Sequence, residues 1–113
     1  MAAEYNHLVN GVYDDGDDIG FLYTQGLHPA RKEIIVREVP RAQAPKVVSM
    51  INFLSTRTLL EGQTAATDES RQMIFMILEP TRKQQRELLK VFMCRCDRGA
   101  KVLELFPITA WPA

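Results

Sequence analysis

Hydrophobic residues recur at alternate positions in short runs as far as Pro40 and at helical spacing from Pro45 onward, so one chain must build both sheet and helix. Tyr5, His7 and Val9 alternate within residues 5–13, the pattern of a half-buried strand. The stretch "DDGDD", residues 14–18, supplies a glycine flanked by aspartates and reads as a hairpin turn. Ile19, Phe21 and Tyr23 then share one face of a second strand, Ile19 to Gln25, with Leu22 and Thr24 on the other. Gly26 and Pro29 bracket a turn around His28, and the β-branched run "EIIVREV" predicts a third strand that ends before Pro40.

From Pro45 to Leu60 the apolar residues Val47, Val48, Met50, Ile51, Phe53 and Leu54 fall on one broad arc, predicting a largely buried helix closed by Gly62. Residues 62–70 read as a polar loop. The apolar run "MIFMIL", residues 73–78, predicts a strand covered on both faces at the centre of the sheet. Thr81 and Gln84 have the spacing of a capping box, opening a second helix that runs to about Met93. Leu88, Leu89, Val91 and Phe92 are assigned inward, with Arg82, Lys83, Arg86 and Lys90 on the opposite arc. A turn at 97–101 leads to a last strand, "VLELF", and Trp111 in the tail is expected to pack onto the body or into a neighbouring subunit. The summed expectation is a single α+β domain over residues 1–113, ordered β-β-β-α-β-α-β, with a mostly antiparallel sheet and both helices on one face.

Length and charge narrow the function classes. A chain of 113 residues suits one core, and 46% apolar with 25% charged residues is ordinary globular composition. No apolar run approaches the roughly 20 residues that cross a bilayer, so no membrane role is expected. The first residues show neither a basic leader nor an apolar segment, which predicts no secretory signal. With only Cys94 and Cys96 there is no disulfide framework, so the expected compartment is the reducing cytoplasm.

The net charge is zero, but residues 1–30 hold Glu4, Asp14, Asp15, Asp17 and Asp18 and no Lys or Arg. The balancing positive charge gathers in residues 81–101, where Glu87 and Asp97 are the only acids. This pattern suits an anion-binding face, or an acidic hairpin and a basic helix that steer subunits together.

The residues Phe21, Tyr23, Thr24, Gly26, Leu27, His28, Pro29 and Glu33 resemble the F-x-Y-T-x-G-L and H-P-E signature of an uncharacterised bacterial domain-of-unknown-function family. An acidic turn before the signature and a final strand leading to a Trp and Pro extend the likeness over nearly the whole chain. The resemblance implies an arrangement of residues and brings no activity with it.

Three constellations could carry chemistry. Tyr23, Thr24 and His28 could supply a proton donor, an oriented hydroxyl and a base, which requires a cleft holding Tyr23 and His28 together. Cys94 and Cys96 with His7 and His28 match zinc in ligand type but not in spacing, and inert buried thiols are favoured. The four carboxylates of "DDGDD" could meet a hard cation, but residue Gln25 stands where an EF-hand needs its bidentate glutamate, and a solvated turn is favoured. Phosphate-loop, dinucleotide, zincin and nucleophile-elbow motifs are missing. The expectation is therefore a non-catalytic binding or interaction domain without cofactor or resident metal. Its partner would be a second copy or another protein, and its contact or small-anion surface the face of Arg82, Lys83, Arg86 and Lys90. The alternatives are a small enzyme near Tyr23 and His28, or a weak nucleic-acid binder, the latter disfavoured because Phe92 is assigned to the core rather than exposed for stacking.

Overall fold

A computed structural model describes residues 7–55, 64–67 and 71–111. The strands are β1 (Leu8–Val12), β2 (Ile19–Gln25), β3 (Glu33–Pro40), β4 (Ala65–Thr67), β5 (Ile74–Leu78) and β6 (Val102–Pro107). Helix α1 spans Ala44–Ser55 after a short 3-10 turn, and α2 spans Arg82–Glu87 before widening into a π-helical segment, Leu88–Phe92. The expected α+β domain is what the chain builds. Its mixed sheet has the order β1-β2-β3-β6-β5-β4, and every pairing is antiparallel except β3 with β6.

The local turn chemistry explains the first hairpin. Asp17 N–H donates to the Asp14 carbonyl at 3.0 Å, and Gly16 takes the positive φ of 83° that a side chain would resist. Gly20 is demanded by packing: a Cβ there would run into the Val12 carbonyl and lie 2.6 Å from Cδ1 of Tyr13. The Tyr13 ring occupies that space, and its hydroxyl donates to the Val39 carbonyl at 3.0 Å.

Side-chain alternation sorts the core into two layers. Leu22, Ile34, Val36, Phe75, Ile77, Leu103 and Leu105 face α1, which buries Val47, Met50, Ile51 and Leu54 against them. Tyr23, Ile35 and Val102 face the other way, beneath Leu88, Leu89 and Met93. The expectation of two helices on one face is thus corrected: they cover opposite faces, because neighbouring residues of β2, β3 and β6 are apolar on both sides. The sheet's centre is also corrected. The strands buried on both faces are β3 and β6, whereas β5 buries Phe75 and Ile77 and leaves Ile74, Met76 and Leu78 half exposed.

Two further expectations change. Within the presumed polar loop, Ala65–Thr67 pairs with β5 as a short strand, small residues that carry no hydrophobic period of their own. Val91, assigned inward, is 66% exposed, because the wider π-helical turn rotates it off the buried arc that retains Leu88 and Leu89. Tyr5, the helical stretch 56–60 and the stop at Gly62 lie outside the described residues. The capping box forms as expected: Gln84 N–H donates to Thr81 Oγ1 at 3.2 Å, and Thr81 N–H to Gln84 Oε1 at 2.9 Å. Trp111 packs its ring against Phe75, 6.2 Å between centroids, on the α1 side of the body.

Candidate functional site

Between the Gly20–Val39 and Leu22–Val36 pairs, β3 carries one more residue than β2, so Arg37 and Glu38 together oppose Phe21. Glu38 absorbs the irregularity with φ 57°, a left-handed conformation unusual for a side chain of its size. The bulge sends Arg37 across the second face toward β6, where Glu104 waits inside an otherwise apolar strand. Arg37 Nε donates to Glu104 Oε2 at 2.7 Å and Nη2 to Oε1 at 3.0 Å, a two-pronged pair with the Glu104 side chain 9% exposed and that of Arg37 44%. That hydrogen bond outweighs burial and raises the already high Arg37 pKa, keeping the guanidinium charged.

Phe92 ends the π-helical segment over this pair. Its ring centroid lies 5.5 Å from the guanidinium carbon of Arg37 and meets Phe21 edge to face at 5.0 Å. Beyond Phe92 the second face is open, and a concavity of about 360 Å³ remains, walled by Phe21, Phe92, Phe106 and Ile19 with Arg37, Glu38 and Glu104 around its floor. Aromatic walls and a fixed ion pair at a sheet bulge suit non-covalent binding. Sequence reasoning passed over these residues. The signal was there: Arg37 and Glu38 interrupt "EIIVREV", and Glu104 interrupts "VLELF", lone charges in strands buried on both sides.

The candidates from sequence lie elsewhere. Tyr23 is 2% exposed and sits in the second core, where burial is the main cause of a raised phenol pKa. Thr24 is wholly buried and its hydroxyl is committed: it accepts from Ile34 N–H at 2.8 Å and donates to Glu33 Oε1 at 2.9 Å. Glu33 organises the loop that holds His28. Its Oε1 also accepts from Leu27 N–H at 3.1 Å, and its Oε2 from the N–H groups of Gly26 at 3.1 Å and His28 at 3.4 Å. Gly26 adopts φ 106°, the His28–Pro29 peptide is cis, and the N–H groups of the loop converge on the buried carboxylate. Neither Tyr23 nor His28 lines the concavity.

The zinc set is not assembled. His7 Nε2 meets Asn52 Oδ1 at 3.0 Å on the α1 side, while Cys96 belongs to the opposite core and donates to the Thr24 carbonyl at 3.1 Å. Burial first, then the negative charges of Glu33 and Cys94, push the Cys96 thiol up to about 12, far from a ligating thiolate. Among the described residues no three His, Cys, Asp or Glu side chains are grouped to hold a metal. In the acidic turn a guanidinium already sits where a cation would: Arg41 Nη2 donates to the carbonyls of Asp17 at 2.9 Å and Asp14 at 3.2 Å, with its ring partner Tyr13 at 4.9 Å.

Arg82, Lys83, Arg86 and Lys90 are all exposed on the outer side of α2 and its π-helical extension. The aromatic ring nearest this face, Phe92, is turned inward against Phe21 and Arg37, not outward for base stacking. No helix among the described residues is long and apolar enough to cross a membrane. No family model matches the chain, and no curated protein or solved structure matches it significantly. The site is therefore read from its own geometry.

Proposed function

We propose that this chain is a small non-catalytic interaction domain, working in the reducing cytoplasm, whose contact surface is the open half of the second sheet face. The single observation carrying this reading is the concavity of about 360 Å³ walled by Phe21, Phe92 and Phe106 over the Arg37–Glu104 pair. It offers apolar area with one rigid polar feature, the composition of a recognition pocket. The committed hydrogen bonds of Thr24 and the burial of Tyr23 favour binding over catalysis. Arg82, Lys83, Arg86 and Lys90 act in this reading as the electrostatic guide on the helical segment whose last residue, Phe92, walls the pocket, steering an acidic partner surface.

The reading is tested by titrating dilute protein with an anilinonaphthalene sulfonate dye while following backbone amide signals. Expected shifts cluster at Ile19–Phe21, Arg37, Glu38, Phe92 and Glu104–Phe106, and Phe106→Asp removes them while leaving the spectrum folded. Shifts confined to residues 82–90, with the pocket signals unmoved, overturn it.

A further inference from the structure

The basic helix and the acidic turn lie at opposite ends of the second face. Ile19, Pro40, Phe106 and Ile74 lie at one end of the sheet, because β2 pairs antiparallel with β3, β3 runs parallel to β6, and β6 runs antiparallel to β5. The acidic turn, with Asp14, Asp15, Asp17 and Asp18 all exposed, adjoins that end. Helix α2 begins at the other end, following Leu78, and is tied there by Gln85 Oε1, which accepts from Val102 N–H at 3.1 Å. The helix turns back over the sheet and stops at Phe92, so among the described residues it covers its own end and leaves the acidic end bare.

Between the two charged ends runs an apolar strip. Ile74, Met76 and Leu78 alternate outward on β5, Phe106 stands opposite Met76, and the pocket joins Phe106 to Ile19. These five residues leave between 37 and 52% of their surfaces in solvent. Their exposed area sums to roughly 400 Å², the scale of an apolar patch that marks a contact site on a small protein. A standard interface takes about 800 Å² from each partner, about 65% of it apolar in the self-associating case. The strip supplies most of that apolar share, and the charged ends supply the rim.

We propose, resting on the contact surface proposed above, that its occupant is a second copy of this chain, related by a two-fold axis that lies in the interface and crosses the strands. Such an axis reverses the ends of the sheet. Each copy's α2 then lies over the half of the face that the other copy's own helix leaves bare, and covers its pocket. Four exposed cations, Arg82, Lys83, Arg86 and Lys90, meet the four carboxylates of the partner's acidic turn, twice per dimer. Glu38, which also lines the pocket, adds a negative charge toward that end. Charge complementarity of a surface to itself after a half-turn selects an isologous dimer over an open chain.

The test is a charge swap read by sedimentation velocity on the full chain. The wild type is expected to dimerise, and to do so about tenfold more weakly when salt is raised from low to high ionic strength. Arg82→Glu/Arg86→Glu and Asp15→Lys/Asp17→Lys each bring one of the two four-charge runs to a net of zero and so remove the net attraction at both ends of their own dimer, and each alone is expected to be monomeric at concentrations where the wild type is dimeric. An equimolar mixture restores four cations against four carboxylates at one end and sets substituted position against substituted position at the other, and is expected to regain dimers of one copy of each. All four positions are exposed, and an unchanged far-ultraviolet spectrum with a cooperative thermal transition establishes that the variants are folded. A wild type that stays monomeric at the highest concentration overturns the proposal, as does a dimer in either variant alone or a mixture that stays monomeric. If dye still fills the pocket of a monomeric wild type, the contact surface stands and only the second copy falls.

Discussion

The loop of residues 26–32 is predicted to depend on one carboxylate, and Glu33→Gln isolates that dependence. Glu33 is 2% exposed, and its two oxygens accept from the Thr24 hydroxyl and from the N–H groups of Gly26, Leu27 and His28 at 2.9 to 3.4 Å. Glutamine keeps the shape but replaces one acceptor oxygen with an NH₂ donor that must face N–H or O–H donors. Whichever way the amide settles, about two charge-assisted hydrogen bonds are lost, each contributing about 1.5–3 kcal/mol, and the side chain that loses them is buried. The expected destabilisation is about 3 kcal/mol, equivalent for a chain of this length to a melting temperature lower by roughly 12 °C. The control is His28→Ala. The imidazole takes no part in holding Glu33, which His28 reaches through its backbone, so that variant should stay within about 0.5 kcal/mol of wild type. Urea unfolding of the three proteins, with equal slopes, measures both differences. A Glu33→Gln midpoint within about 1 kcal/mol of wild type refutes the argument, and the carboxylate would then be incidental to the loop.

The Arg37–Glu104 pair should respond unequally to losing either member. Arg37→Met strands a carboxylate whose side chain is 9% exposed and should cost about 3 kcal/mol, whereas Glu104→Gln frees a guanidinium that is 44% exposed and should cost about 1–2 kcal/mol; equal losses by urea unfolding would contradict this. Gly20→Ala drives a methyl into the Val12 carbonyl and the Tyr13 ring, and is expected to cost about 3 kcal/mol in the same assay, with a neutral result excluding the packing described. Cys96 has a folded pKa of about 12 against an ordinary value of 9.0, so the unfolded chain loses its proton first as pH rises. Its contribution is complete below about pH 8.5 and lost as pH climbs toward 12. Wild type should therefore fall in stability over that window more steeply than Cys96→Ala, and at pH 8 iodoacetamide should label the exposed Cys94 before the buried Cys96.

Features whose cause is local were readable in the sequence. The turn at Gly16, the three strands before Pro40 and the Thr81–Gln84 cap each depend on a few neighbouring residues, and each forms as the residue types require. The errors have a shared cause in tertiary placement. "MIFMIL" has the composition of a central strand, but burial follows neighbours, and β5 has a helix over only one of its faces. Which helix covers which face depends on how the chain crosses between β3 and β6, and hydrophobic period does not encode it. The density of polar groups in "FLYTQGLHP" suggested chemistry because Thr24 and His28 have reactive side-chain types. In the structure the hydroxyl and the backbone amides of that segment serve the buried Glu33 instead.

The same bulge that made the site hard to foresee accounts for its existence. In a regular strand, Val36 and Val39 would point to opposite faces. The extra residue in β3 returns Val39 to the α1 core beside Val36, with both fully buried, and leaves Arg37 alone on the second face. A left-handed glutamate costs of order 1 kcal/mol, and burying a second valine offsets that by about 2 kcal/mol. The first core thus selects the bulge on stability grounds. Its by-product is a guanidinium delivered to the second face where the helical segment ends, so that Glu104 and Phe92 can fix it. The polar floor of the pocket is in this sense a consequence of packing on the far side of the sheet.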